Sequence, residues 1–177
     1  MEKIIAREAA MFIAVKASEP ADCQEMLKTF YLMREMSHSV LAADTLTSYL
    51  QDLETAAAAG RNLMTEKYAR MENLIPSLNE NELIYKIVDI ERKWLSEVHK
   101  KYPLTIAVEG GFTTYAVCEL ETYSDATLNL YYRDIFLAAT QKRNLVEERY
   151  QYLYGNLGFK DLEEVEALAQ KRAALKE

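Results

Sequence analysis

Apolar residues recur along this chain at steps of three and four almost throughout. They alternate at steps of two almost nowhere, which predicts helices and no sheet. A first helix is expected over about residues 2–17, with Ile4, Ile5, Met11, Phe12 and Val15 on one face. "SEPAD" interrupts it, and Pro20 suits the first turn of a second helix near 21–36 that buries Leu27, Phe30 and Met33. A third stripe, Leu46, Leu50, Leu53, Ala57, Gly60, Met64 and Met71, runs through Gly60 without losing phase. It predicts one long central helix over about 39–74, in which the small residues 56–60 form a seam for a partner helix. Pro76 ends that helix. A fourth follows over about 80–100, then the irregular "KYPLTIAVEGGF" and a fifth helix over about 113–122. Ser124 caps a helix expected to reach about 154, where "YGNLGF" stops it. A charged last helix starts near 160, with a narrow seam of Leu162, Val165, Leu168 or Ala169, and Arg172. No internal repeat or low-complexity tract is evident. The expectation is an all-α, single-domain bundle of six or seven helices spanning 1–177.

Composition supports this. Only five Gly and three Pro in 177 residues leave few turns, and half the residues are hydrophobic, enough for a core without staples. A net charge of −7 argues against broad nucleic-acid binding. Cys23 and Cys118 are isolated and lack metal-type spacing, so they read as buried free thiols of a reducing compartment. The first apolar run is broken by Lys3, Arg7, Glu8 and Lys16, unlike a signal peptide, and no stretch is long and apolar enough to span a membrane. A cytoplasmic protein is expected. Tyrosine is abundant at twelve, clustered in "LNLYYRDI" and "ERYQYLYGN", where core-rim packing, a dimer interface or a ligand pocket would each use it.

The informative residues are charges on apolar faces. Glu8 falls in the row Ile4, Glu8, Met11, Val15; Glu91 in the row Ile84, Ile87, Glu91, Trp94, Val98; Glu119 in the row Phe112, Ala116, Glu119, Tyr123. Arg34 follows Leu27 and Phe30. A buried charge is costly unless paired and hydrogen-bonded. These four therefore form either structural ion pairs or the wall of an interior polar pocket, as in bundles whose sites are built from facing helices. A dinuclear metal site is short of ligands. Glu35 and His38 supply one Glu-x-x-His pair, but Glu97 and His99 have the wrong spacing for a second. Arg92 and His99, two helical turns apart, would suit a HEPN-type ribonuclease, against which the net charge argues. No phosphate loop, GxSxG elbow or HExxH is present, and the cofactor stays unknown.

Three stretches, "SYLQDLETAAAAGRNLMTEKYARME", "WLSEVHKKYP" and "ELETYSDATLNLY", together resemble a bacterial family catalogued as domain of unknown function 4125. The resemblance covers the first helix to about Tyr132. It implies a helical fold and a bacterial source, brings no established activity, and places some relatives alongside or fused to nucleotidyltransferase-like domains. It also marks the polar cluster after Gly60 as a candidate site wall: Arg61, Asn62, Glu66, Lys67 and Tyr68, faced by Glu119, Tyr123 or Ser124.

The sequence thus leads to a pocket for a small polar or anionic molecule. Arg34, Arg61, Asn62, Glu66, Tyr68, Glu119 and Tyr123 are its ligand-binding residues, with Glu91 or Glu8 as counter-charge or general base. No metal ligand is assigned, and whether chemistry follows binding stays open. The alternative is a non-catalytic interaction module, a homodimer or the partner of a nucleotidyltransferase-like protein. The first reading requires Glu8, Glu91, Arg34 and Arg61 to converge.

Overall fold

The computed structural model describes residues 1–15, 23–108 and 110–175, the side chains of 23–26 excepted. Pro20, the "SEPAD" break and the Cys23 thiol lie outside the described residues. Nine helices and no strand form among those described: α1 Glu2–Ala14, α2 Cys23–His38, α3 Ala43–Ala58, α4 Leu63–Met71, α5 Leu83–Lys101, α6 Phe112–Leu120, α7 Asp125–Thr140, α8 Leu145–Asn156 and α9 Leu162–Ala174. The all-α class stands. The count of six or seven does not, because two pairs of helices had been run together.

The long central helix is broken at Gly60, whose φ of +70° is the left-handed conformation of a helix end. Arg61 N–H reaches back to the Ala56 carbonyl at 2.8 Å and Gly60 N–H to that of Ala57 at 3.0 Å, the Schellman pattern. Asn62 then caps α4, its side chain accepting from Thr65 N–H. The interruption spans about one helical turn, so the apolar stripe stays in phase across it. Nor is 56–60 a packing seam: Ala56 is buried, but residues 57–60 are exposed, and a Cβ built on Gly60 meets nothing within 4 Å. The helix expected from Ser124 to 154 divides in the same manner. Lys142 adopts φ +58°, Arg143 N–H bonds the Ala138 carbonyl at 2.9 Å, and Asn144 caps α8.

These two junctions belong to an internal repeat that the sequence reading missed. Shifting the chain by 82 residues lays α3 on α7, each of 16 residues, and the start of α4 on that of α8. Across residues 45–68 the shift matches Thr45 with Thr127, Leu46 with Leu128, Tyr49 with Tyr131, Asp52 with Asp134, Ala56 with Ala138 and Ala57 with Ala139. Arg61-Asn62-Leu63 then falls on Arg143-Asn144-Leu145, Glu66 on Glu148, and Tyr68 on Tyr150. A shift of 83 places "IIAREAAMF" of α1 on "IVDIERKWL" of α5, Glu8 on Glu91 and Met11 on Trp94. The packing repeats too. α1 packs on α2, α3 and α4 as α5 packs on α6, α7 and α8, while α2 lies on α8 and α4 on α6. α3 and α7 pack on each other. There Asp52 accepts from Ser124 N–H at 3.0 Å, and Asp134 accepts from Ala42 N–H at 2.9 Å. Equivalent residues thus exchange equivalent bonds, as across a twofold axis.

One core joins the halves, with Leu53, Ile87, Val98, Leu128 and Ile135 all fully enclosed. α2 departs from expectation: its buried face is Arg34, Met36 and His38, whereas Met33 is 41% exposed. α9 has no counterpart in the repeat. It is held by buried Leu162 and by Glu166, which accepts from the backbone N–H groups of Leu104 and Thr105. Leu168 and Arg172 of its expected seam are exposed.

Candidate functional site

Each half presents an acidic residue and a tyrosine to the interior from equivalent positions, and the rest differs. In the first half Glu8 of α1 is completely buried. It accepts from Arg34 Nε at 2.9 Å, from Arg34 Nη2, from the Tyr49 hydroxyl at 2.8 Å and from His38 Nε2 at 3.2 Å. Four donors fill the acceptor capacity of a carboxylate. Burial alone would push this carboxyl up; the Arg34 guanidinium and His38 outweigh it and hold the pKa at about 2. Arg34 also binds Glu119 of α6 at 2.6 Å, and Glu119 takes a second cation, Lys67 of α4, at 3.0 Å. Lys67 is 2% exposed and lies over the rings of Tyr68 and Tyr115. Burial opposes charge on Glu119, but Arg34 and Lys67 keep its carboxyl well below the usual range.

In the second half Glu91 of α5 binds Arg149 of α8 at 2.8 Å and accepts from the Tyr131 hydroxyl at 3.0 Å. Arg149 also donates to Tyr131 at 2.7 Å. Tyr123 bridges the halves, 4.4 Å from the Tyr49 ring and 6.2 Å from that of Tyr131.

A cavity of about 560 Å³ lies between these networks. Arg34, His38, Glu91, Glu119, Tyr123, Tyr131 and Arg149 stand in its wall, with Met36, Leu41, Met71, Leu95, Phe112 and Leu120 as apolar lining. Exposed Met33, Ala107, Gly111 and Tyr115 form its solvent side. The difference between the halves opens this space. Where α2 carries Arg34 and His38, the equivalent positions of α6 are Ala116 and Leu120. Two buried polar atoms of the wall residues have no protein partner, His38 Nδ1 and Arg149 Nε. Burial holds the His38 pKa below 6.5 despite its bond to Glu8, so the ring is neutral at pH 7. A carboxylate only accepts, so Nε2 carries the ring proton and Nδ1 is a bare acceptor. The 3.4 Å approach of Arg34 Nη2 to Nε2 is therefore two donors meeting on one carboxylate. A second, more open hollow of about 410 Å³ lies beyond Arg34 and Lys67, against Phe12, Phe30 and Tyr68.

Of the residues selected from sequence, Arg34, Glu91, Glu119 and Tyr123 border the cavity, and Glu8 sits behind Arg34. Tyr68 borders the second hollow. Arg61, Asn62 and Glu66 do not join them. Arg61 is half-exposed and forks onto Glu66 at 2.8 and 2.7 Å, as Arg143 forks onto Glu148. Asn62 caps α4 and donates to the Met11 carbonyl at 2.8 Å, as Asn144 does to that of Trp94 at 3.1 Å. The polar cluster after Gly60 is thus a helix-start device used twice, and the requirement that Arg61 converge with the other three is not met. The sequence reading missed Tyr49 and Arg149, named Lys67 only within the polar cluster and Tyr131 only within a tyrosine cluster, and weighed His38 only as a metal ligand. Tyr49 with Tyr131, and Lys67 with Arg149, are repeat-related, and that was the available signal.

His99 bonds the Ile106 carbonyl through Nδ1 at 2.6 Å, and exposed Arg92 pairs with Asp89. Among the described residues, no three His, Cys, Asp or Glu side chains are grouped to hold a metal ion, and no helix is long and apolar enough to cross a membrane.

No curated protein and no solved structure matches the chain. A family described as "Protein of unknown function (DUF4125)" matches residues 1–167, nearly the whole chain. The protein belongs to that family.

Proposed function

We propose that the cavity between the two halves binds a small molecule with a polar head and an apolar body. The observation that carries this reading is a cavity of about 560 Å³, within the range of small-molecule sites, walled by both buried charge networks. Its chemistry narrows the occupant. Arg34 and Lys67 serve Glu8 and Glu119, and Arg149 serves Glu91, three cations to three carboxylates, so the charges are balanced before anything binds. A balanced wall favours a neutral or zwitterionic head over the anion suggested by Arg34 alone.

Native mass spectrometry of the full chain purified from its own host tests this. A bound small molecule is expected, and Ala116→Phe, which projects a ring into the cavity from its wall, should weaken its retention. A clean mass for the unaltered protein would remove the reading. The rival, an interaction module, draws on Phe136 and Leu137 of α7, exposed by 52% and 48%. In that case the same spectra show a complex, or a dimer, insensitive to Ala116→Phe.

A further inference from the structure

We infer that the hollow beyond Arg34 and Lys67 is a second seat for a small molecule, an uncharged aromatic one, and the shallow twin of the cavity mouth. It rests on the cavity reading above, whose site it duplicates. The repeat carries the wall of the hollow onto the wall of the cavity. Phe12 falls on Leu95, Phe30 on Phe112, Lys67 on Arg149 and Tyr68 on Tyr150, and each of these equivalents borders the cavity. Met33 and Tyr115 exchange places and border both spaces, so two occupants would sit side by side. The rest of the wall, Thr29 and Arg34, falls on Gly111 and Ala116, which border the cavity as well. The last pair sets the depth. Past Ala116 the cavity reaches Glu91 and Tyr131, whereas their equivalents Glu8 and Tyr49 do not border the hollow. Arg34, bonded to Glu8, stands where Ala116 leaves room.

A seat must offer surface that a ligand can touch, and the hollow offers it. Thr29 is exposed, Met33 and Tyr115 are 41% and 39% exposed, and Phe12, Phe30 and Tyr68 are half-buried. The space of about 410 Å³ suits a small ring compound. Phe12 and Phe30 stack at 4.6 Å, and with Tyr68 and Tyr115 they make an aromatic wall, which an aromatic occupant matches by stacked or edge contacts. No charge is called for. Arg34 and Lys67 are buried, and Glu8 and Glu119 already neutralise them.

4-Bromophenol, uncharged at pH 7, is the probe, because anomalous scattering locates its bromine directly. Crystals of the full chain soaked in it should show bromine in the hollow as well as in the cavity. Equilibrium dialysis of the full chain should approach two molecules per chain. Thr29→Trp sets an indole over the hollow from an exposed position, so the melting temperature should stay where it is. It should weaken one of the two sites at least tenfold and leave the other, and Ala116→Phe should act on that other site. A hollow without bromine overturns the second seat whatever the cavity holds. Bromine there in soaked crystals, but a single molecule bound in solution and indifferent to Thr29→Trp, overturns it too. The cavity reading fails separately, on a cavity without bromine together with a clean native mass.

Discussion

The two halves share a scaffold and differ in what fills it. Glu8 with Tyr49 and Glu91 with Tyr131 occupy equivalent places, yet Glu8 is closed in by four donors and Glu91 faces a cavity. The contrast comes from few side chains. α2 brings Arg34 and His38 where α6 brings Ala116 and Leu120. Large polar residues on one side and small or apolar ones on the other turn a symmetric junction into a one-sided site. The repeat therefore teaches which features are scaffold. What both halves possess, the Arg-Asn-Leu junctions and the Asp52 and Asp134 cross-caps, holds the fold. What differs between them, the depth of the cavity above all, is where function is to be sought.

The largest expected effect tests that contrast directly. Glu8→Ala strips Arg34, Tyr49 and His38 of their common acceptor inside the core, whereas Glu91→Ala leaves only Arg149 and Tyr131 short. Removing one partner of a buried pair costs about 3–5 kcal/mol. Glu8→Ala belongs at the upper end of that range and Glu91→Ala at or below the lower end, because water from the cavity reaches Arg149. Urea unfolding of both variants ranks them; equal losses would mean that the halves are not distinguished by enclosure.

Acid should test the network around Arg34 as well. Glu8 titrates at about 2 in the folded chain, against 4.5 for an ordinary glutamate, and Glu119 is also held low. A depressed carboxyl contributes stability above its unfolded pKa and loses it as pH falls toward the folded one. Melting temperature should therefore drop from pH 4.5 toward 2, and less so in Glu8→Gln, already destabilised at neutral pH. His38 adds an earlier step. Its folded pKa lies below 6.5, so the unfolded chain takes up the proton first and stability begins to fall below pH 6.5. His38→Leu, which copies Leu120, should abolish that early step. It should change stability at pH 8 by less than about 1 kcal/mol, because the bond lost to Glu8 is offset by removal of the unmatched Nδ1.

Much of the site was legible in the sequence, and the limits have physical reasons. Glu8, Arg34, Glu91 and Glu119 declared themselves because each interrupts an apolar row at helical spacing. Lys67 and Arg149 interrupt apolar rows in the same way, Met64, Lys67, Met71 and Val146, Arg149, Leu153, but they stand inside a dense polar cluster and a tyrosine-rich stretch that hide the interruption. The helix count failed at Gly60 because a turn and a cap together consume about one helical turn and conserve the phase of the stripe. At Lys142 the warning was fainter still, since a lysine rarely takes positive φ. The repeat is faint in the hydrophobic stripes, where only Leu46 and Ala57 of the third stripe recur, and its distinctive identities sit in Tyr, Asp, Arg and Asn. Reading the two Arg-Asn-Leu triplets together would have revealed it, and would have assigned Arg61, Asn62 and Glu66 to the scaffold.

That assignment predicts matched losses at the junctions. Asn62→Ala and Asn144→Ala each remove a helix cap and a bond to a neighbouring helix's carbonyl, at Met11 and Trp94. A cap is worth roughly 1 kcal/mol, and the added bond should bring each loss to about 1–2 kcal/mol. The two should agree within about 0.5 kcal/mol, with the molecule bound in native mass spectra retained in both. A selective loss of binding in Asn62→Ala would return this residue to the site wall.

The smallest effect is the most discriminating, because it exchanges one residue between equivalent turns. Gly60 and Lys142 both hold left-handed backbone, φ +70° and +58°, and both close a Schellman turn before an Arg-Asn-Leu start. Only glycine does so without strain. Lys142→Gly should therefore stabilise the protein by about 0.5 kcal/mol, the relief of strain being reduced by the greater freedom glycine gives the unfolded chain. Gly60→Lys should cost about 1 kcal/mol, through strain alone, since nothing stands within 4 Å of where its Cβ would go. Opposite signs at the two positions, read from paired urea midpoints, would establish that the turns are mechanically equivalent. Destabilisation in both would show that the Lys142 side chain contributes something its counterpart lacks, and the twofold description of the scaffold would fail at that corner.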